Sequence, residues 1–297
     1  MARTKPVVPV DESPVSREMV SFILSRAPEP MVLVGGQALA FWMDRFAIAA
    51  SSSAASDFHS EVTSDVDFLG SAKSAALMAD ALNGRLIRMN PRALTSLAAQ
   101  VRIRAATGLE HNIDVLHLIF DAGGLRKSND LTRKAIARAV VGELEDGHKI
   151  RILHPLDVLA TRINNAAGLI SSKGPHVLTQ ARWAIRVAYA AIQADALSPG
   201  AKKYRPGAMA QEVFRLSAGT AGRTVRLNHG IDAAAAIPFD ILSEHVKGFA
   251  VQGARMIAAL KRQGRWPLAA TLRAARGKSS QRRIATKPAA TNKSKGK

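Results

Sequence analysis

Two carboxylates one residue apart, Asp65 and Asp67, alternate with apolar residues in Ser64-Asp65-Val66-Asp67-Phe68-Leu69, and a third, Asp114, does the same in His111-Asn112-Ile113-Asp114-Val115-Leu116. Period-two alternation is the mark of a half-buried strand, on which residues i and i+2 share a face. Val66 and Phe68 then enter the core while both aspartates leave one surface. Ile113 and Val115 turn inward in the same way, with Asn112, Asp114 and Leu116 opposite them. The chain is thereby committed to a sheet with an acidic face. Like charges gathered on such a face repel unless a cation lies between them, so the constellation reads as a two-metal phosphoryl-transfer site.

Upstream, the apolar run Met31-Val32-Leu33-Val34 reads as a short buried strand that Gly35-Gly36 turns into a helix carrying Ala38, Leu39, Phe41 and Trp42. A glycine pair between strand and helix brings bare backbone N–H groups and a helix N-terminus to one spot, which suits a triphosphate. Ser13-Pro14 is a cap-then-proline start for a helix through Val15, Met19, Phe22 and Ile23. After the acidic strand the pattern predicts a helix over 71–83 and strands at 85–88, 100–104 and 111–116. A hairpin follows around Asp146-Gly147. From Pro155 onward the periodicity is helical, over 155–170, 177–197, 207–218 and 238–263. Residues 47–60 read as a helix end and an Ala/Ser loop. Residues 272–297 hold nine Lys/Arg and no acid, which predicts a disordered basic tail. The expected organisation is an α/β (α+β) domain with a mixed sheet over 1–153, a helical domain over 154–271 and the tail, with the site in the cleft between the two domains.

Val34-Gly35-Gly36-Gln37-Ala38-Leu39, Thr63-Ser64-Asp65-Val66-Asp67-Phe68 and Ile113-Asp114-Val115 together resemble the nucleotidyltransferase superfamily, whose fold is shared with DNA polymerase beta. Within it the chain is most similar to the bacterial AbiE-type toxins and related small nucleotidyltransferases. The likeness covers about residues 31–120, and 153–159 resembles the point where those proteins begin their helical half. It implies that Asp65, Asp67 and Asp114 hold two Mg²⁺ ions, that Asp114 helps deprotonate the attacking hydroxyl, and that Gly35, Gly36 and Ser64 lie against the β- and γ-phosphates of an NTP. The reaction implied is in-line attack on the α-phosphorus with loss of pyrophosphate. Two departures stand out: the spacing from Gly36 to Asp65 is longer than in the compact pattern, and Arg162 stands near the place where the toxins commonly carry a lysine.

Net charge is +19, but residues 1–157 carry 18 Lys/Arg against 18 Asp/Glu, whereas 158–297 carry 24 against 5. The excess therefore lies wholly in the second half, which argues for contact with a polyanion, RNA or DNA; basic helix faces that merely meet solvent are the competing reading. An RNA or protein acceptor is expected, with a cognate antitoxin if the toxin likeness extends to function. The alternatives are a non-catalytic nucleic-acid-binding protein on the same fold and a small-molecule nucleotidyltransferase; the few acids of the second half, Asp195, Glu212, Asp232, Asp240 and Glu244, disfavour the latter. There are no cysteines, which excludes disulfides, thiolate metal sites and thiol nucleophiles and fits a reducing cytoplasm. No stretch is apolar for the length a membrane span needs.

Other candidates are weaker. Lys173 is placed to touch a phosphate, with a solvated loop lysine as the rival reading. Arg182 and Arg186 lie one helical turn apart and either line the cleft or form an exposed stripe beside Trp183 and Tyr189. His111, His117, His148 and His154 lack the spacing of a ligand set. Gly123-Gly124 reads as a plain turn.

Overall fold

The computed structural model describes residues 15–48, 65–90, 95–104, 108, 110–144, 146–198 and 206–268. Strands β1 (Val32–Leu33), β2 (Val66–Leu69), β3 (Arg85–Arg88), β4 (Leu97–Arg104), β5 (Glu110–Leu116), β6 (Val140–Glu143) and β7 (Lys149–Ile152) form one seven-stranded sheet in the order β3-β4-β5-β2-β1-β7-β6. It is mixed: β2 runs parallel to β5 and β1 to β7, and the remaining neighbours are antiparallel. Helices α1 (Arg17–Leu24), α2 (Gly35–Arg45), α3 (Ala72–Ala81) and α4 (Leu125–Arg138) interleave with the strands. After β7 come α5 (Pro155–Gly168), α6 (Ile170–Lys173), α7 (His176–Leu197), α8 (Pro206–Ala218) and α9 (Thr220–His229), then a 3-10 turn at Ala233–Ala236, α10 (Phe239–His245) and α11 (Phe249–Arg262). The protein is of the α+β class. Among the described residues no helix is long and apolar enough to cross a membrane.

The core forms where the alternation says it must. Val66, Phe68, Ile113 and Val115 are buried on one face of β2 and β5, beside Leu33 and Ile152. α3, capped by the Ser71 hydroxyl accepting from the Ser74 N–H at 3.1 Å, packs against β3 and β4. α2 packs against α5 and α7, and its Trp42 indole donates to the Leu153 carbonyl at 2.8 Å, a buried bond that ties the glycine-led helix to the start of the helical half. α5 opens with Pro155 at its first turn, and the His154 ring accepts the Leu156 N–H at 3.2 Å through Nδ1. Burial pushes that imidazole down to about 3, so it stays neutral and able to accept.

The structure differs from the sequence expectations in several places. The cap of α1 is Ser16, whose hydroxyl accepts from the Met19 N–H; Ser13-Pro14 lies outside the described residues, as do most of the Ala/Ser loop and the basic tail. Gly123-Gly124 does lie in a turn, closed by the Gly124 N–H donating to the Asp121 carbonyl at 3.0 Å, but a helix that was not expected follows it. Gly124, at φ 94°, opens α4, which buries only Ser128, Leu131, Thr132 and Ala135 and so shows little apolar periodicity. The expected single helix over 238–263 is two, broken at Val246–Gly248 with Gly248 at φ 80°. α9 was not expected: it buries only Ala221, Gly222 and Val225, an apolar stripe too short to stand out.

One charged cluster fixes α4 to the helical half. Arg138, at the end of α4, forms a two-pronged pair with Asp157 in the first turn of α5, Nε to Oδ2 at 2.8 Å, and also binds Glu212 of α8 at 2.8 Å. Lys134 adds a second cation to Glu212. The Asp157 side chain is fully buried, and burial holds its carboxyl above the usual range despite Arg138. Removing one partner of a buried pair leaves an uncompensated charge, whereas removing both with apolar replacements is often neutral. Arg138→Met is therefore expected to cost about 3–5 kcal/mol in urea unfolding, and Arg138→Met with Asp157→Leu to recover most of it; equal losses in single and double variants would contradict this account.

Candidate functional site

Asp67 and Asp114 face each other directly across the parallel β2–β5 pair. With Val66, Phe68, Ile113 and Val115 turned to the core, both carboxylates must leave the opposite face. Asp65 stands one residue ahead of β2, in a bend and exposed, so it flanks the strand rather than belonging to it. It is near enough to Asp67 to raise its pKa.

The glycine pair meets this face from the other side. The Val34 N–H donates to the Asp67 carbonyl at 2.9 Å, and the next residue, Gly35, begins α2 at φ 68°. That positive φ favours glycine, and space demands it as well. A Cβ at Gly35 would lie 2.8 Å from the Asp67 Cβ and overlap its carboxylate. Gly36 follows, buried. The N–H groups of a helix's first turn have no acceptor within the helix, so α2 aims free donors and the positive end of its dipole at the ground beside Asp67.

Two cations reach the acids from the helical half. The Asp67 carboxyl is pushed up to about 6, by burial first and by Asp114 next, against the downward pull of Lys173 and then Arg162. Arg162, on α5, is only 7% exposed. Its Nη1 donates to the Gln180 Oε1 of α7 at 2.8 Å, while its Nε, also buried, meets no acceptor among the described residues. Burial lowers its pKa and Asp67 opposes that. Lys173 is exposed at the end of the one-turn α6. His176, at the start of α7, has its pKa lowered by burial and then by Lys173 and Arg162.

The other flank of Asp114 is a relay that sequence reasoning missed. Gln100 lies opposite Asp114 in the β4–β5 register and donates from Nε2 to Oδ1 at 2.9 Å; Arg102 Nε donates to Gln100 Oε1 at 3.0 Å. The signal was present in the alternation of Gln100-Val101-Arg102-Ile103-Arg104, which places the polar residues on the face of the acids. Gln180 had no such signal, since its partner is 18 residues away on another helix.

Of the sequence candidates, Asp65, Asp67, Asp114, Gly35, Arg162 and Lys173 come together, with Gly36 in the adjoining turn. Ser64 lies outside the described residues. Arg182 is exposed and Arg186 half-buried, and neither exerts a pull on Asp67. His111 and His154 are buried. Among the described residues no three His, Asp or Glu side chains close around a point as a complete metal cage. Mg²⁺ seldom takes such a cage; it is held through one or two carboxylates with water and substrate phosphates completing the shell. Asp67 and Asp114 in register, with a glycine cradle beside them, fit that mode. A cavity of about 510 Å³ between α1, α2 and the β6–β7 hairpin is lined by none of the three aspartates.

No family model and no curated protein matches the chain. Among solved structures it is similar to the crystal structure of JHP933 from Helicobacter pylori, at 14% identity over 83% of this chain and 92% of that one, with a TM-score of 0.31. A likeness of that size carries no argument about fold or function.

The raised Asp67 pKa has a definite sign. The folded protein binds this proton more tightly than the unfolded chain, so its contribution is fully present below pH 3.8 and is lost as pH rises through about 6. Over that interval the loss is about 3 kcal/mol. Asp67→Asn is expected to stabilise the metal-free protein by up to that amount at pH 8 and by little near pH 4, read by urea unfolding across pH; a pH-independent effect would contradict the assignment.

Proposed function

We propose that the protein is a metal-dependent nucleotidyltransferase that moves a nucleoside monophosphate from an NTP to an acceptor hydroxyl. The observation that carries this is the alignment of Asp67 with Asp114 beneath the Gly35 turn, with Arg162 and Lys173 facing them. Asp65, Asp67 and Asp114 would hold two Mg²⁺ ions, which supply Lewis-acid neutralisation of charge at the α-phosphorus. Gly35 and Gly36 offer backbone N–H groups to the triphosphate. Arg162 has a buried, unmatched Nε–H to donate, and Gln180 holds its guanidinium in place. Gln100 occupies one oxygen of Asp114 and leaves the other for the acceptor hydroxyl.

In the reaction the acceptor O–H breaks, its proton passing to the Asp114 carboxylate and then to solvent, and its oxygen bonds the α-phosphorus, while the bond from that phosphorus to the β-phosphate oxygen breaks and pyrophosphate departs. The attacking acceptor oxygen and the leaving oxygen lie in line. A cytoplasmic setting supplies the NTP. The toxin role implied by the family resemblance belongs to the same proposal, and its readout is growth arrest on induced expression, relieved by Asp67→Ala and by a cognate antitoxin.

The test is incubation with each α-labelled NTP, Mg²⁺ and total cellular RNA and protein. Transfer of label is expected with at least one nucleotide, abolished in Asp67→Ala and Asp114→Ala, with Arg162→Met raising the KM for NTP by about tenfold or more, as for loss of one charge-assisted hydrogen bond. Equal labelling by Asp67→Ala would sink the proposal. Salt-sensitive RNA binding with no transfer under any nucleotide would favour a binding protein that keeps the fold without the chemistry.

A further inference from the structure

The sheet order lays the site out in a line. α2 and its glycines lead from β1; next come Asp67 on β2, Asp114 on β5, Gln100 and Arg102 on β4, and Arg85 on β3. Register places all the β-strand members of this series on one face, since Asp67 faces Asp114, Asp114 faces Gln100, and Arg102 faces both Asn112 and Arg85. At about 4.8 Å between strands, Arg85 sits roughly four strand spacings from β1. An NTP whose triphosphate lies at Gly35 and whose α-phosphorus lies at the aspartates occupies the β1 side. The arginines of β4 and β3 lie beyond Asp114, on the side from which an acceptor approaches.

Arg85 and Arg102 form an uncompensated rung. Like charges directly opposite on antiparallel strands repel, and among the described residues neither meets a carboxylate. The next arginine on the same face contrasts with them: Arg104 lies opposite Glu110 and pairs with it at 3.7 Å. Arg102 is also oriented. Its Nε is spent on Gln100, which is itself held by Asp114, so its guanidinium is anchored at one corner, and among the described residues no carboxylate pairs with its terminal nitrogens. A guanidinium fork matches phosphate in two-pronged geometry.

We propose that the acceptor is a polynucleotide whose terminal hydroxyl lies at Asp114 and whose backbone phosphates cross β4 and β3 on Arg102 and Arg85. This rests on the nucleotidyltransferase reading for its direction, but the phosphate track is a binding surface that needs neither NTP nor metal. The polycationic second half supplies non-specific attraction; the rung supplies the register that brings a chain end to the acids.

The test uses the full chain and a short single-stranded RNA. Fluorescence anisotropy across salt concentrations compares wild type, Arg85→Gln with Arg102→Gln, and the paired Arg104→Gln as control. Two lost phosphate contacts should make the slope of log K against log salt shallower by about 1.4, at about 0.7 per contact on a single strand, with Arg104→Gln close to wild type. In the transfer assay the double variant should raise the KM for RNA by about tenfold or more and leave the KM for NTP unchanged. An unchanged salt slope would overturn the track, as would label that goes to protein when RNA is present. If the wild type transfers label to nothing, the nucleotidyltransferase reading fails, and the salt slopes still decide the surface.

Discussion

Two carboxylates are held in register across parallel strands, and most of the molecule is arranged around the cost of keeping them there. Asp67 and Asp114 repel each other, and burial adds to the penalty on Asp67. Two cations offset it, and neither belongs to the sheet: Arg162 comes from α5 and Lys173 from α6. The charge balance of the acidic face therefore draws on the helical half. Docking in turn relies on Arg138, which binds the first turn of α5 through Asp157 and α8 through Glu212, and on the Trp42 bond to Leu153. Charge balance at the site and attachment between the two halves are one problem solved twice along α5.

Much of this was legible in the chain because it rests on short-range pattern. The alternation around Asp67 and Asp114 fixed two strand faces without knowledge of their neighbours, and the parallel register then set the acids opposite each other. Gly35 could be read as a turn residue. What could not be read was why it has to be glycine, since the obstacle is the Asp67 side chain 32 positions later, which a Cβ would overlap. Arg162 was visible as the residue near the place where the resembling toxins commonly carry a lysine; its buried, partly unmatched guanidinium and its dependence on Gln180 were not.

The misreadings have separate causes. α4 buries two hydroxyl residues, one alanine and one leucine, so its inward face carries little of the apolar contrast on which helical periodicity depends. Ser128 and Thr132 are not idle there, because their hydroxyls accept from the Asp121 and Ile119 N–H groups at 2.9 and 2.8 Å. Polar burial that serves a loop looks like surface in the sequence. The break between α10 and α11 was hidden differently: apolar residues continue through Val246 and Phe249, and only Gly248 in a left-handed conformation marks the stop.

β3 has a further consequence as an edge. Among the described residues it ends the sheet with an open row of backbone donors and acceptors, the usual place for a foreign strand to add, and it is four residues long with an arginine at each end, Arg85 and Arg88. Charge of one sign on both copies keeps two such edges apart. Bound polyanion or high ionic strength would remove that protection, so self-association should rise with salt, which light scattering on the isolated protein can follow. The protein's colloidal behaviour is in this way tied in part to Arg85, which also faces its proposed acceptor.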